Sequence, residues 1–133
     1  MSYYLKKEVG KNEDFFLYNE WLETDGAGGW ASSTLSGAHS RRYHGLLVAA
    51  VNAPAERKVL LSKLNEKIIC GNQEFDLSCD QYVGGGKPIG LEYLQEFKKD
   101  IFPEWIYTCG DINLKKTVIA IRSDAVIIVQ YQL

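Results

Sequence analysis

The sequence predicts an all-β fold, an antiparallel β-sandwich. Helical periodicity is scarce, short strand-like runs recur at hairpin spacing, and turn residues separate most of these runs. The chain has 133 residues, enough for one domain and too few for two. Its composition, 46% apolar and 24% charged, is that of an ordinary globular protein with a core. We therefore expect residues 1–133 to form a single β-rich domain.

The first half of the chain offers one ambiguous segment and then a series of strands. Asp14–Glu23 fits a helix and fits equally well a packed aromatic segment leading into a sheet. Tyr43–Val51 reads as a buried strand, closed by the turn that follows it. Lys58–Cys70 is strand-like, and Gly71-Asn72 favours a tight hairpin because both residues tolerate positive φ. Glu74–Cys79 is the expected returning strand.

The second half predicts a loop, two bent strands and a strong hairpin. Val83–Pro88 is glycine-rich and has nothing to pack, which indicates a flexible loop. Leu91–Cys109 is rich in aromatic residues, and Pro103 divides it into two extended pieces. Leu114–Ile121 and Ala125–Leu133 then form the hairpin.

The last strand carries apolar residues on both faces. Such a pattern predicts a strand that is covered on both sides. The chain stops inside this strand, and a central strand that ends a domain would leave an unprotected edge. We therefore expect the sandwich to be incomplete at its carboxyl end.

Charge and the start of the chain argue against several protein classes. The net charge is −2 and the isoelectric point is near 5.7, so no basic excess supports nucleic-acid binding. The first residues lack the apolar run of a signal peptide, and no run is long enough to span a membrane. We therefore expect a cytoplasmic protein that binds neither nucleic acid nor membrane.

The potential metal ligands are few and poorly spaced. Cys70, Cys79 and Cys109 are odd in number and lack C-x-x-C spacing, so we expect reduced and largely buried thiols. His39 and His44 have no acidic ligand at metal spacing. The sequence therefore predicts no metal site and no cofactor.

The densest motif region runs from Glu20 to Leu47 and contains a glycine-rich segment. Gly26, Gly28 and Ala31 formally match the dinucleotide fingerprint G-x-G-x-x-A. That fingerprint needs a buried strand before it and a helix after it, and the residues on either side predict neither. A tight turn that glycine permits is the better interpretation.

The string from Arg41 to Gly45 places two guanidinium groups, a phenol and an imidazole before a buried strand. Such a donor-rich edge suits sugar hydroxyls or a carboxylate on a partner surface. An ion-paired strand entrance with no ligand is the alternative.

Carboxylates and aromatic residues are also present, without a pattern that defines a site. Glycosidases need two carboxylates about 5–10 Å apart, and the sequence identifies no such pair. Glu20, Glu23 and Asp25 near the glycine turn are by default solvated or capping groups. Some aromatic residues could stack on sugar rings, although such residues are more often in a core: Trp21, Trp30, Tyr43, Trp105 and Tyr107.

Several segments together carry a more specific signal. They are, in chain order, Glu20–Leu22, Asp25–Ser32, Ser36–Ala38, Arg41–Ala49, Val59–Leu64, Tyr93-Leu94 with Phe97, and Phe102–Trp105. In this order they closely resemble the opening of the amino-terminal domain of bacterial and archaeal glycogen-debranching enzymes. The family's Asn-Gly-Leu-Gly-Gly-Tyr reads Asp-Gly-Ala-Gly-Gly-Trp here, which keeps the turn and the aromatic residue.

The resemblance implies a supersandwich-like domain that precedes a catalytic (α/α)6 domain. In the family, that second domain carries the catalytic carboxylates of an amylo-α-1,6-glucosidase, which hydrolyses branch-point glucose from limit dextrin. This chain has no such region, so we expect it to be a non-catalytic, amino-terminal part of the family's first domain. No catalytic residue is carried over.

We expect the polar residues of the two motifs to face the catalytic domain and help shape its substrate site. These residues are Asp25, Gly26, Gly28, Gly29, Trp30, Arg41, Arg42, Tyr43 and His44. Whether they contact substrate or only the partner domain is left open by the sequence. Two other functions also remain open: a stand-alone α-glucan-binding module, and a β domain that assembles with itself through an exposed strand edge.

Overall fold

The computed structural model describes residues 2–133 and is almost entirely built of strands. A short helix, α1 (Glu13–Tyr18), and a 3₁₀ helix (Ile89–Glu92) interrupt them. The strands are β1 (Tyr3–Lys6), β2 (Glu20–Thr24), β3 (Trp30–Thr34), β4 (Gly45–Asn52), β5 (Glu56–Leu61), β6 (Lys67–Cys70), β7 (Gln73–Asp76), β8 (Leu94–Lys99), β9 (Pro103–Cys109), β10 (Ile112–Ala120) and β11 (Ile127–Gln132). The predicted all-β class is confirmed.

The strands form two main sheets and one separate hairpin. The large sheet has the order β1-β8-β9-β10-β11, and the small sheet has the order β2-β3-β4-β5. Strands β6 and β7 pair only with each other. Every pair of neighbouring strands is antiparallel. Most of these neighbours are also consecutive in sequence, and a short hairpin loop can connect only antiparallel strands. The exception is the pair β1 and β8, which are distant in sequence.

The core lies between the two sheets and is centred on Trp105. Its ring packs edge-on against Trp21 of the small sheet, with the ring centroids 5.1 Å apart. Phe97, from the neighbouring strand β8, packs against the same indole at 5.1 Å. The Trp105 indole N–H also donates to the carbonyl oxygen of Leu35 at 2.7 Å. Inward-facing residues of both sheets therefore share one core, and the predicted sandwich is confirmed.

The ambiguous segment near the start contains both a helix and a strand. Helix α1 buries Phe16 and Leu17 in the core, while Asn19 ends the helix and β2 begins at the next residue. Aromatic and leucine side chains thus anchor a helix of fewer than two turns, too short to be stable alone. Within residues 2–133, no helix is long and apolar enough to cross a membrane.

The hairpin turn predicted at Gly71-Asn72 is present, but several predicted strands have other bounds. The strand-like segment Lys58–Cys70 is divided into β5 and β6 by residues 62–66, and the returning strand predicted over Glu74–Cys79 ends at Asp76. Gly71 has a φ of 58° in the β6–β7 turn. Strand β4 begins at Gly45, because Tyr43 and His44 belong to a turn in which the His44 N–H donates to the Arg41 carbonyl at 3.1 Å. Cys70 is exposed, which corrects the expectation that the thiols are largely buried.

The prediction that the last strand is covered on both sides is wrong. Strand β11 is an edge of the large sheet. Ile127 and Val129 pack on the core, but Ile128, which points to the opposite face, is 45% exposed. Only the inward face of β11 packs on the core, so the apolar side chain of Ile128 on the outer face has no layer of the described chain against it.

Candidate functional site

The glycine-rich segment is the turn between β2 and β3, and Asp25 holds it together. The Asp25 carboxylate is buried, and its Oδ1 accepts hydrogen bonds from the backbone N–H groups of Ala27 at 2.7 Å and Gly29 at 2.9 Å. A Cβ at Gly29 would collide with this carboxylate and would lie 2.7 Å from the Val48 carbonyl oxygen. A strand follows the turn, where a dinucleotide site would need a helix.

Trp30 connects this turn to the second motif. Its indole N–H donates to the carbonyl oxygen of Tyr43 at 2.9 Å. The guanidinium carbon of Arg57 lies 5.4 Å from the centre of the Trp30 ring, a cation–π distance. Arg57 Nε also donates to the Gly28 carbonyl at 2.8 Å. Arg57 therefore occupies one face of the Trp30 ring, and that face is not open to a sugar.

Glu20 of β2 joins the same cluster from the other side. Its Oε2 accepts the Tyr43 hydroxyl at 2.8 Å, and its Oε1 accepts the Arg41 Nε–H at 3.2 Å. The two hydrogen bonds tie the loop before β4 to β2, across the intervening strand β3. The cluster thus spans three elements of the small sheet.

His44 closes the loop from inside. Its buried Nδ1 accepts the backbone N–H groups of Ser40 at 3.0 Å and Arg41 at 3.2 Å, so Nδ1 carries no proton and Nε2 does. Nε2 lies 3.4 Å from Glu20 Oε1, close enough for electrostatic attraction but without the geometry of a hydrogen bond. Burial lowers the pKa of His44, and the nearby Glu20 carboxylate only partly opposes this.

The charge states in the cluster are fixed by these contacts. Partial burial raises the pKa of Glu20, but hydrogen bonds from Tyr43 and Arg41 outweigh that effect and the net pKa is lowered. The bond to the Glu20 carboxylate raises the pKa of Tyr43. Near neutral pH, Glu20 is therefore ionised while Tyr43 and His44 are neutral. The arrangement is a stable scaffold, without a group poised to exchange protons.

The loop presents some of its groups to solvent. Tyr43 is 48% exposed although its hydroxyl is engaged. Arg42 is exposed, and its side chain makes no hydrogen bond or ion pair with residues 2–133. All nine candidate residues thus lie in one continuous region joined by the Trp30–Tyr43 bond, and Arg42 is the group most available to a ligand or partner.

Two members of this region, Glu20 and Arg57, were not predicted as site residues. From the sequence we expected Glu20 to be a solvated or capping group, and no sequence feature identified Arg57 as a site residue. Their contacts depend on strand pairing, which sets Glu20 opposite Thr34 and Arg57 opposite Ala50.

The aromatic residues divide between the core and this surface. Trp21, Trp105 and Tyr107 are buried in the core and cannot stack on a ligand at the surface. Trp30 and Tyr43 belong to the cluster. Only the ring of Tyr43 combines substantial exposure with proximity to Arg42.

The carboxylates near the turn are all engaged by protein donors. Glu20 and Asp25 make the bonds described above, and Glu23 Oε1 lies 2.7 Å from Lys99 Nζ. For the part of the chain that is described, no group of three or more His, Cys, Asp and Glu residues is arranged to hold a metal ion. Contacts within the domain therefore hold the side chains of the two motifs in a fixed arrangement.

Comparison with known families gives one match. A family model described as "Glycogen debranching enzyme N terminal" matches residues 19–133. The match contains both motifs and every strand from β2 to β11. Comparison with curated proteins and with solved structures gives no match.

Proposed function

Because the chain belongs to the family of glycogen debranching enzyme N-terminal domains, we propose that it supports the catalytic domain of such an enzyme without catalysing the reaction itself. Residues 1–133 are then the amino-terminal, non-catalytic part of the first domain. The reaction is the hydrolysis of α-1,6-linked branch glucose in limit dextrin, and the catalytic carboxylates reside in an (α/α)6 domain outside this chain. We place the protein in the cytoplasm, with no cofactor.

The observation that carries this proposal is the rigid presentation of Arg42 and Tyr43. Glu20, Trp30 and the His44 ring hold their loop at three points, and the loop still leaves a guanidinium and an aromatic face exposed. Donors fixed on a rigid scaffold suit a domain-interface site, because little conformational entropy is lost on contact. A catalytic role for the loop has no support, since the nearby carboxylates are all paired.

Arg42 is the residue on which the partner or substrate contact depends. Its planar guanidinium suits a carboxylate of the partner domain and also suits the vicinal hydroxyls of glucose. Any α-glucan contact of this chain would use Arg42 and the Tyr43 ring, because the tryptophans among residues 2–133 do not form an exposed row on which sugar rings could stack. A stand-alone glucan-binding module is accordingly the less favoured function.

The direct test is glucose release from limit dextrin. The purified chain is assayed alone and after addition of the catalytic domain of a debranching enzyme. We expect no activity from the chain alone and a gain of activity in the mixture. Release of glucose by the chain alone would overturn the non-catalytic assignment, and a mixture no faster than the catalytic domain alone would overturn the supporting role.

The second test changes Arg42 to Ala in a full-length enzyme that carries this domain. We expect a higher KM or a lower kcat with an unchanged urea midpoint, because Arg42 has no contact within the domain to lose. Arg122→Ala is the matched control, an exposed arginine in the β10–β11 turn. Unchanged kinetics with reduced stability would make the loop purely structural.

A second candidate function, self-assembly, is favoured by the composition of the sheet edges. Edge strands β1, β2 and β5 each contain charged residues, which discourage pairing with another chain. The fourth edge strand of the two main sheets, β11, reads Ile-Ile-Val-Gln-Tyr-Gln and contains no charged residue. An uncharged edge can add the same edge of a second copy without like-charge repulsion.

Sedimentation over a range of concentrations tests self-assembly. We expect the average mass to rise with concentration for the unmodified chain and for the control Ile101→Lys, which alters an exposed residue outside β11. Ile128→Lys should keep the chain monomeric. A mass that stays at the monomer value for the unmodified chain would exclude this function.

A further inference from the structure

A small cavity lies inside the sandwich, apart from the surface cluster. Its volume is about 40 Å³. Trp21 and Ser33 line it from the small sheet, while Trp105 and Val118 line it from the large sheet. The cavity is too small for a sugar ring, but a water molecule needs only about 10–15 Å³ of this kind of volume.

Two buried polar groups at this cavity lack hydrogen-bond partners among residues 2–133. They are the indole N–H of Trp21 and the hydroxyl of Ser33, and each residue is only 4% exposed. The two residues face each other directly across the β2–β3 pair. A buried donor without a partner has lost its hydrogen bond to water and gained none in return, so native proteins nearly always pair such groups.

A second indole N–H and a second serine hydroxyl nearby each have a hydrogen-bond partner within the protein. The Trp105 indole donates to the Leu35 carbonyl, and the Ser32 hydroxyl donates to the Trp21 carbonyl at 2.8 Å. The two unpaired groups differ from these neighbours, and both belong to residues that line the cavity.

We propose that the cavity is an internal hydration site, in which one ordered water accepts the Trp21 indole N–H and hydrogen-bonds the Ser33 hydroxyl. This fits the volume and satisfies both orphaned groups at once. A buried water usually makes about three hydrogen bonds. His39 also lines the cavity and can provide a third partner. Burial lowers the pKa of His39 to about 4, so its imidazole is neutral near pH 7 and one ring nitrogen can accept.

The proposed water links the core to the segment that carries the surface cluster. His39 belongs to the connection between β3 and β4, as do the residues from Arg41 to His44. The water would thus brace this connection from the interior, while Glu20 and Trp30 hold it from the outer face. The inference does not depend on the proposed function, because it rests on core residues alone.

The test is water–protein magnetisation transfer to the three indole N–H protons of the ¹⁵N-labelled chain. The Trp21 indole proton should give laboratory- and rotating-frame nuclear Overhauser effects to water with the opposite signs that mark a long-lived bound molecule. Trp30, at the surface and bonded to Tyr43, serves as the control and should lack this signature. Absence of the signature at Trp21 would overturn the proposal.

A variant locates the water. Ser33→Val removes the hydroxyl and fills the site with apolar atoms, so we expect the Trp21 signal to fall at least severalfold. The slow exchange of the Trp105 indole proton reports that the core remains folded. Should Ser33→Val fail to fold, Ser33→Ala replaces it and should lower the signal at least twofold. An undiminished Trp21 signal in the folded variant would mean that the water does not lie beside Ser33.

Discussion

At the residue scale, the turn between β2 and β3 depends on Gly29 for its space and on Asp25 for its bonds. The close approach of the Asp25 carboxylate and the Val48 carbonyl leaves no room for a Cβ at position 29. Gly26 in the same turn differs, because its φ is +76° but nothing lies within 4 Å of a Cβ placed there. One glycine is needed for space and the other for backbone conformation.

Gly29→Ala should therefore destabilise the domain more than Gly26→Ala. Overpacking costs about 1–3 kcal/mol and should be at the upper end here, because backbone and a buried carboxylate cannot move aside. The positive φ at Gly26 costs about 1–2 kcal/mol for alanine. Urea unfolding of both variants measures the difference. Equal losses would show that the turn relaxes around the new methyl group.

The two histidines make stability fall in mild acid. Burial lowers the folded-state pKa of both His39 and His44, so the folded chain binds fewer protons than the unfolded chain below the unfolded pKa of about 6.5. The free energy of unfolding is therefore unaffected by these two groups above about pH 6.5. It decreases as the pH falls from there towards the folded-state pKa values, of which that of His39 is about 4. We expect the urea midpoint to be lower at pH 5 than at pH 7.

His39→Gln separates the two contributions. The variant cannot be protonated at position 39, so its urea midpoint should change less between pH 7 and pH 5, with the remainder due mainly to His44. A pH dependence identical to that of the unmodified chain would show that His39 ionises as freely in the folded state as in the unfolded state.

At the scale of elements, the β3–β4 connection is bonded to two strands of the small sheet, to β2 through Glu20 and to β3 through Trp30. Trp30→Phe removes the donor to the Tyr43 carbonyl while keeping an aromatic ring. Loss of one such bond is worth about 0.5–1.5 kcal/mol, so hydrogen exchange at the Ser40 and Arg41 amides should accelerate roughly two- to tenfold. The Leu35 amide, bonded to the Asn19 carbonyl at 2.8 Å, should be unaffected. Unchanged exchange at Ser40 and Arg41 would mean that Glu20 and His44 hold the loop without the Trp30 bond.

The elements predicted well from sequence are those with local causes. The Gly71-Asn72 turn and the bend before Pro103 follow from the conformational limits of a few adjacent residues. The environment of β11 could not be predicted, because apolar residues on both faces do not reveal which strands lie beside it. The surface cluster was found only in part, since Glu20 and Arg41 meet across 21 positions of sequence and Arg57 reaches Trp30 across another strand.

At the scale of the whole molecule, Trp105 joins the two layers. Its ring belongs to the large sheet, contacts Trp21 of the small sheet, and donates to Leu35 just after β3. Trp105→Phe keeps most of the apolar contact but leaves the Leu35 carbonyl unpaired and a cavity beside it. We expect a loss of about 2–4 kcal/mol in the free energy of unfolding, measured by urea denaturation.

Trp30→Phe is the matched control for this change, because Trp30 also donates to a carbonyl but lies on the outer face of one sheet. The Trp30→Phe variant should lose only about 1 kcal/mol in the free energy of unfolding. Equal losses would indicate that Trp105 contributes only its own hydrogen bond and does not hold the layers together.

The edge-on indole pair of Trp21 and Trp105 also gives the molecule an optical signature. Two identical chromophores 5.1 Å apart with planes at 76° have interacting excited states, and their absorption bands split into components of opposite circular dichroism. This exciton couplet requires the two sheets to be docked, because each sheet supplies one ring. Its disappearance would report separation of the layers even while the backbone of each sheet kept its ellipticity, so a partly unfolded form could be distinguished from the native one by spectroscopy alone.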